Sequence, residues 1–230
     1  MNRAVNVARM QLINKWTFLG VPAIVIAGAF AVSWAIWALI PDSVETQMYS
    51  GAGQAVMWYF LVLGIQSLTL TFPFSQAMSV SRRNFYFGTV GLFALVALVI
   101  SGLYVVLGAV EQATNGWGVN GIMFSFPWIS DGPWFEAFIV YFMAMVLLFM
   151  IGFWAATIYK RWTVTGMVIL WISVAAVVLA LVALATWTES WPSVGLWFTQ
   201  QTPLTVSGWA ALTCVVLAGG SYLTLRKATP

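Results

Sequence analysis

One stretch without a single charged residue, residues 163–187, decides the fold: it reads TVTGMVILWISVAAVVLALVALATW. A run of 18 or more apolar residues with few or no charges is typical of a helix that crosses a lipid bilayer. At about 1.5 Å per residue such a helix is roughly 37 Å long. The hydrocarbon layer is only about 30 Å thick, so the stretch predicts one membrane-spanning helix with some tilt.

The rest of the chain repeats this pattern. The predicted spans are residues 18–40, 55–74, 85–110, 135–159, 163–187 and 206–225, within a single transmembrane domain covering residues 1–230. Composition agrees, because 62% of the residues are hydrophobic and only 7% are charged, whereas soluble domains carry about 25% charged residues. We therefore predict an all-α membrane protein with six transmembrane helices.

The charged residues alternate in sign from one connection to the next. The basic groups are Arg3, Arg9 and Lys15, then Arg82 and Arg83, then Lys160 and Arg161, and finally Arg226 and Lys227. The acidic groups between them are Asp42 and Glu45, then Glu111, Asp131 and Glu136, and then Glu189. Because cytosolic loops retain Lys and Arg, the alternation predicts that both termini and every basic cluster lie in the cytosol.

Residues 1–17 precede the first span and predict an amphipathic interfacial helix. One apolar stripe at helical spacing consists of Val5, Ala8, Leu12 and Trp16, and Arg9 lies near it. A helix of this kind lies along the inner leaflet, with its basic residues toward anionic lipid. The alternative is a frayed basic terminus that only sets the topology.

Tryptophan is concentrated near the acidic connections. Ten of the 14 tryptophans fall there: Trp34, Trp37, Trp58, Trp117, Trp128, Trp134, Trp187, Trp191, Trp197 and Trp209. Tryptophan prefers the headgroup level of a bilayer, so an aromatic belt explains most of them. The alternative is that some of them hold an amphipathic substrate.

The residue inventory argues against an enzyme. The chain has no histidine, its only cysteine is Cys214, and its carboxylates all fall at or beyond the predicted outer edge of the membrane. No glycine-rich phosphate-binding loop precedes a lysine, so we expect no nucleotide site, no cofactor and no metal. The net charge of +3 is too small and scattered for nucleic acid. Any energy must come from another subunit.

The polar residues at the centres of the predicted spans are uncharged. Gln66 is the most polar mid-span group, and it predicts either a hydrogen bond between helices or a contact along a substrate path. Carriers coupled to protons or ions usually keep an ionisable residue at membrane depth, and none is predicted here. Small residues at helical spacing, such as Ala176, Ala180 and Ala183, favour close packing in a bundle or between two copies.

The connection between the second and third predicted spans is the most informative. Residues 72–89 read FPFSQAMSVSRRNFYFGT, and residues 10–16 before the first span read MQLINKW. These segments resemble small six-span permeases of the ABC-2 type. In those proteins a polar segment with Ser-Arg-Arg, one more residue and an aromatic leads into the third span. The resemblance covers the whole chain in length, span count and orientation, whereas its motif covers about 15 residues.

The resemblance implies a function. Two such permease chains pair with two separate ATPase subunits in the bacterial cytoplasmic membrane and export a compound, which we expect to be amphipathic or hydrophobic. The loop forms a short coupling helix that docks on the ATPase. The docking residues implied are Gln76, Met78, Ser79, Ser81, Arg82, Arg83 and Phe85. From the residues alone, Arg82 and Arg83 only hold the loop inside. Rival functions are a non-transporting membrane partner, such as an assembly or immunity factor, and a secondary carrier.

Overall fold

The computed structural model describes residues 3–12, 15–41 and 46–226, with side chains from Asn6 on. Within these ranges the helices are α1 (Arg3–Leu12), α2 (Val21–Ala38), α3 (Ala55–Gln66), α4 (Phe72–Ala77), α5 (Arg82–Ala113), α6 (Pro127–Ser130), α7 (Trp134–Trp187), α8 (Trp191–Thr199) and α9 (Pro203–Leu225). Two short strands, β1 (Met48–Tyr49) and β2 (Gly121–Ile122), pair in parallel. The described part is dominated by long apolar helices, as expected of an all-α membrane protein.

Within the described ranges, five helical stretches are long and apolar enough to cross a membrane. They are Trp16–Ala38, Gly51–Ala77, Arg82–Ala113, Trp134–Trp187 and Pro203–Leu225. The fourth has 54 residues and would be about 80 Å long if straight. It is interrupted at Thr163, whose φ of 56° and ψ of −151° are not helical. Each half is long enough for its own span, and the predicted break at residues 160–162 immediately precedes the observed one.

Two of these stretches contain a π-helical turn near a proline. In Trp16–Gly20 and in Ser67–Thr71, the N–H of the next residue donates to the carbonyl five residues back. The residue after that is Pro22 or Pro73, which has no N–H to donate. The wider turn lets the helix continue past the missing hydrogen bond. We predicted that the second span ends near Pro73, but the helix continues to Ala77.

The connections gather at two opposite ends of the bundle. At one end β1 pairs with β2, which joins the α2–α3 connection to the α5–α7 connection. Trp128 of the second connection and Trp197 of the α7–α9 connection line one cavity. We call this the acidic end, since the described acids lie there: Glu111, Asp131, Glu136 and Glu189.

The opposite end, which we call the basic end, carries the described basic residues of α1, α5, α7 and the last turn of α9. Here Arg82 Nη1 donates to the backbone carbonyl of Arg226 at 2.7 Å. The hydroxyls of Thr157 and Thr224 are 2.8 Å apart, one turn into the bundle. The structure therefore separates the two signs of charge to opposite ends, as the alternation along the sequence predicts.

The closest helix contact is a crossing of α3 with α7 at two glycines. A Cβ added to Gly152 would lie 2.1 Å from the Leu61 carbonyl oxygen, and one added to Gly64 would lie 2.3 Å from the Phe149 carbonyl oxygen. No real side chain fits at such distances. Small residues allow helix backbones to approach closely in membranes, and here the backbones touch because both positions lack a side chain.

Helix α1 is present, and its packed face matches the predicted stripe only in part, since Ala8 and Leu12 of the stripe pack against the core. Val7 is buried, and Gln11 donates to the Thr89 hydroxyl of α5 at 2.7 Å. Arg9 is exposed, whereas Trp16, which we predicted in the apolar stripe, is 70% exposed. The helix therefore packs on α5 through a face rotated from the predicted stripe. The side chain of Val5 and residues 13–14 lie outside the described part.

The second half of α7 differs from the first. All the buried residues of α7 lie between Ala137 and Ile158, and residues 164–187 are exposed or half-exposed along their whole length. The following connection contains α8, which is also exposed. These residues form the large apolar face that the rest of the described chain leaves uncovered.

Candidate partner-binding surface at the basic end

The predicted docking segment forms a tight turn between α4 and α5. Ser79 has a φ of 56°, its N–H donates to the Gln76 carbonyl at 2.9 Å, and the Val80 N–H donates to the Ser75 carbonyl at 3.0 Å. This pair of bonds is a Schellman motif, which ends a helix through one left-handed residue. Ser79 therefore shapes the backbone of the turn.

The next helix begins directly after the turn. The Ser81 hydroxyl accepts from the Asn84 N–H at 3.3 Å, so Ser81 is the N-cap of α5. Gln76 Nε2 also crosses the turn to the Val80 carbonyl at 3.0 Å. The resemblance implies a separate coupling helix in this loop, but α4 is the end of the Gly51–Ala77 stretch and only four residues separate it from α5. The structure thus has a rigid turn in place of a separate helix.

The exposed residues of this turn form one surface, which we call the turn surface. It consists of Phe74, Met78, Ser79, Ser81 and Arg83. Phe74 and Met78 are 57% and 58% exposed, and they are the apolar part of the surface. The Arg83 guanidinium lies 6.0 Å from the Phe87 ring and supplies its positive charge.

Three of the predicted docking residues are partly or fully buried and make contacts within the chain itself. Gln76 and Arg82 are half-buried, and both make the internal hydrogen bonds described above. Phe85 is fully buried, with its ring 5.2 Å from that of Phe72 at an angle of 62°. The placement of Phe85 on a docking surface is therefore corrected. Its role is to pack the start of α5 against α4.

Gln66 does not join the turn surface. It is the last residue of α3, where the π turn begins, and it is half-buried. Among the described residues no hydrogen bond joins its side-chain amide to another helix. The polar contacts of this region are local, since the Ser67 hydroxyl donates to the Gly64 carbonyl at 2.8 Å.

Sequence reasoning missed a polar cluster at the acidic end, centred on Glu111. The Glu111 carboxylate is 1% exposed. It accepts hydrogen bonds from the Trp117 indole at 2.8 Å, from the Ser125 hydroxyl at 2.6 Å, and from the backbone N–H groups of Met123, Phe124 and Ser125 at 2.8–3.2 Å. Burying a charge is costly unless hydrogen bonds replace its hydration, and five donors supply them here.

The Glu111 cluster also binds α7, because the Tyr141 hydroxyl donates to the Phe124 carbonyl. The chain between Glu111 and its donors is unusual, with positive φ at Asn115, Trp117 and Asn120. The one signal in the sequence was a lone acid in the last turn of an apolar helix, followed by Asn-Gly. The alternation of charge along the sequence identifies Glu111 only as a marker of the outer side.

Among the described residues, no group of three or more His, Cys, Asp or Glu side chains could hold a metal ion. Comparison of the chain with protein-family models, with curated proteins and with solved structures finds no match.

Proposed function

We propose that the chain is the membrane subunit of an ABC-type exporter, which pairs with a second copy of itself and with separate ATPase subunits. In this proposal it crosses the membrane six times, with the two halves of α7 as the fourth and fifth spans. The basic end faces the cytosol, because retained Lys and Arg mark the cytosolic side. The proposed location is the bacterial cytoplasmic membrane.

The observation that carries the proposal is the turn surface. Exposed apolar side chains that lie together beside a charge are typical of a protein-interaction site. Met78 and Phe74 are such side chains, and the Arg83 guanidinium beside them offers a fork for carboxylates. This combination favours a protein partner at the basic end over lipid or nucleic acid.

The links of the turn surface to the bundle support a coupling role. Ser81 caps α5, and Arg82 is hydrogen-bonded to the last turn of α9. Farther into the bundle, the Tyr86 hydroxyl donates to the Ala218 carbonyl of α9 at 2.9 Å. A force applied at the turn would move α5 and α9 together as a rigid body, which is how an ATPase subunit drives a permease.

The exposed second half of α7 supports pairing of two copies. Its alanines at 176, 180 and 183 lie on a helix that no other described part of the chain covers. In a membrane, helices associate through close packing of small residues. A second copy is the occupant that the proposed transporter requires, and lipid would cover whatever remains.

The decisive experiment is a pull-down with the tagged chain, scored for a stoichiometric ATPase subunit, combined with a transport assay. Met78→Asp places a charge in the apolar part of the turn surface, so we expect it to release the ATPase. Met78→Leu keeps an apolar side chain of similar volume and is the matched control. Full coupling of Met78→Asp would remove the turn surface as the docking site. Absence of any ATPase from the pull-down with the unaltered chain would refute the proposal and favour the non-transporting partner.

The two arginines separate docking from internal support. Arg83→Lys keeps the charge and the topology but removes the planar fork, so it should weaken ATPase binding without changing the stability of the chain. Arg82→Lys should instead lower stability, because Arg82 binds the Arg226 carbonyl. If both changes leave binding unaltered, the arginines only set the topology.

Orientation is tested by cysteine labelling after Cys214 is replaced. Ala77 and Ala113 are exposed alanines at the basic and acidic ends. A cysteine at Ala77 should react only with a reagent added to the cytosolic side, and a cysteine at Ala113 only from outside. The reverse pattern would overturn the orientation, and with it the docking of a cytosolic ATPase.

The purified chain without its partner should not hydrolyse ATP, because its sequence has no phosphate-binding loop. Turnover that persists after every co-purifying protein is removed would contradict the subunit proposal. Flux driven by an ion gradient through the chain alone would instead establish a secondary carrier.

A further inference from the structure

A cavity of about 560 Å³ opens at the acidic end between α6, α8 and α9. Its aromatic walls are Trp128 of α6, Trp197 and Phe198 of α8, and Trp209 of α9. The volume lies within the range of about 300–1,000 Å³ typical of small-molecule sites. All four side chains are exposed, so a ligand can reach them from outside.

The rings are arranged so that they do not cover one another. The ring centres of Trp197 and Trp209 are 6.0 Å apart at an angle of 62°, and those of Trp197 and Phe198 are 4.9 Å apart at 83°. In such an edge-to-face pair, each ring keeps at least one face that its partner does not cover. The face of an aromatic ring is electron-rich and attracts cations, and that of tryptophan does so most strongly.

Two polar side chains line the cavity, those of Thr199 and Gln201. The Thr199 hydroxyl donates to the Leu196 carbonyl at 3.0 Å. Gln201 Nε2 donates to the Trp197 carbonyl at 2.9 Å, which fixes the amide against the end of α8. Gln201 Oε1 is buried and has no hydrogen-bond partner among the described residues. Its partial negative charge is therefore not compensated by an internal donor and favours a cation in the adjoining cavity.

The charge around the cavity has a single sign. The sequence has no Lys or Arg from residue 84 to 159 or from 162 to 225. Asp131 directly follows α6, and Glu189 lies two residues before α8. Acidic groups without basic neighbours concentrate cations and repel anions.

We propose that this cavity binds an organic ammonium ion carrying an apolar body. The ammonium group lies against the free faces of Trp197 and Trp209 and near Gln201 Oε1, and the apolar body lies along Val206. As a substrate site it rests on the proposed exporter function, whereas as a binding site it does not. The ammonium can belong to a free lipophilic compound or to a choline lipid headgroup, since the chemistry is the same.

Equilibrium dialysis of benzyltrimethylammonium against the chain in phosphatidylglycerol nanodiscs tests the proposal, with empty nanodiscs as the background. We expect saturable binding that is at least several-fold tighter than that of neopentylbenzene, the neutral isostere. Equal affinity of the two compounds would overturn the proposal, because the pocket would then recognise only apolar volume. Absence of saturable binding would overturn it as well.

Substitutions of the tryptophans that line the cavity can be compared with a matched control outside it. Trp197→Leu and Trp209→Leu should each raise the Kd about 3- to 30-fold, the range of a cation–π contact. Trp187→Leu is the control, because Trp187 lies at the same end and is 85% exposed but does not line the cavity. An equal effect of Trp187→Leu would show nonspecific binding and refute the site.

Two substitutions of Gln201 should change the Kd in opposite directions. Gln201→Glu adds a full negative charge beside the ammonium and should lower the Kd, whereas Gln201→Leu should raise it. An unchanged Kd in both variants would remove Gln201 from the site and contradict the proposed binding mode. The substituted side chains line the open cavity or, for Trp187, are exposed, so gel filtration should show unaltered folded protein.

Phosphatidylcholine nanodiscs distinguish the two sources of the ammonium. Competition by the lipid headgroup would raise the apparent Kd of benzyltrimethylammonium, and an unchanged Kd identifies a site for free compounds. The assay uses the chain without an ATPase, so it is independent of the pull-down. Binding that persists when no ATPase associates would leave the site intact, and lost binding beside a successful pull-down would remove the site alone.

Discussion

The two halves of α7 are equally suited to a membrane but differ completely in packing. The first half touches α3, α5 and α9 and contains every buried residue of the helix, whereas residues 164–187 bury none. Lipid tails are as apolar as leucine, so apolarity alone does not draw membrane helices together. What distinguishes the first half is a glycine and hydroxyl groups at the contacts.

Gly152→Ala should lower stability more than any other substitution that probes this difference between the halves. Its Cβ would lie 2.1 Å from the Leu61 carbonyl oxygen, so α3 and α7 would have to move apart. Overpacking of this kind costs about 3 kcal/mol, and we expect a much lower unfolding temperature in detergent.

The control for Gly152→Ala is Gly91→Ala on α5, where an added Cβ meets nothing within 4 Å. Since alanine is the better helix former, this variant should be as stable as the original or more stable by up to about 1 kcal/mol. A Gly152→Ala protein with an unchanged unfolding temperature would mean that the glycine crossing does not exist.

Glu111→Gln should have the next largest effect, because Tyr141 connects the first half of α7 to the Glu111 cluster. The amide keeps one acceptor oxygen but turns an N–H₂ group toward donors, so buried N–H groups lose their partner at about 2 kcal/mol or more. Chymotrypsin should then cleave the connection between α5 and α6 faster. Asp131→Asn, at an exposed position of the same end, should leave the cleavage rate unchanged, and equal rates for both variants would argue against the cluster.

A pair of threonines compares the two halves directly. Thr157 in the first half is hydrogen-bonded to Thr224 of α9. The Thr186 hydroxyl in the second half donates to the Val182 carbonyl of its own helix and accepts from the Trp191 indole of α8, at exposed positions only five residues apart. Thr157→Val should lower the free energy of unfolding by about 0.6 kcal/mol, the average for hydrogen bonds between membrane helices. Thr186→Val should have a smaller effect, because its bonds are local and exposed. Equal losses would show that local bonding alone accounts for both.

Ala180→Leu should have the smallest effect on the chain itself, within about 0.5 kcal/mol, because Ala180 is exposed. The same change should reduce the fraction of cross-linked dimer if the second half of α7 contacts a second copy. A loss of stability as large as that of Gly152→Ala would contradict the comparison, since it would place the second half inside the packed bundle.

The sequence predicts those features that depend on composition, and it misses those that depend on a specific contact. The apolar runs locate the long helices to within a few residues, except where Pro73 is accommodated by a π turn. The buried face of α1 was predicted only in part: Ala8 and Leu12 pack against the core, but Gln11 was missed because it is polar yet hydrogen-bonds to Thr89 of α5. Phe85 was placed by the family resemblance and Glu111 by its charge, but their roles are set by residues that the fold brings to them.

The Glu111 cluster has a consequence for the order in which the molecule is built during synthesis. Its donors lie only 6 to 14 positions after Glu111 along the chain, so the carboxylate finds its partners soon after they are made. The glycine crossing must wait until Gly152 has followed Gly64 by nearly ninety residues. Local contacts form before distant ones, so in a newly made chain we expect the Glu111 cluster to form first and α7 to pack against it afterwards.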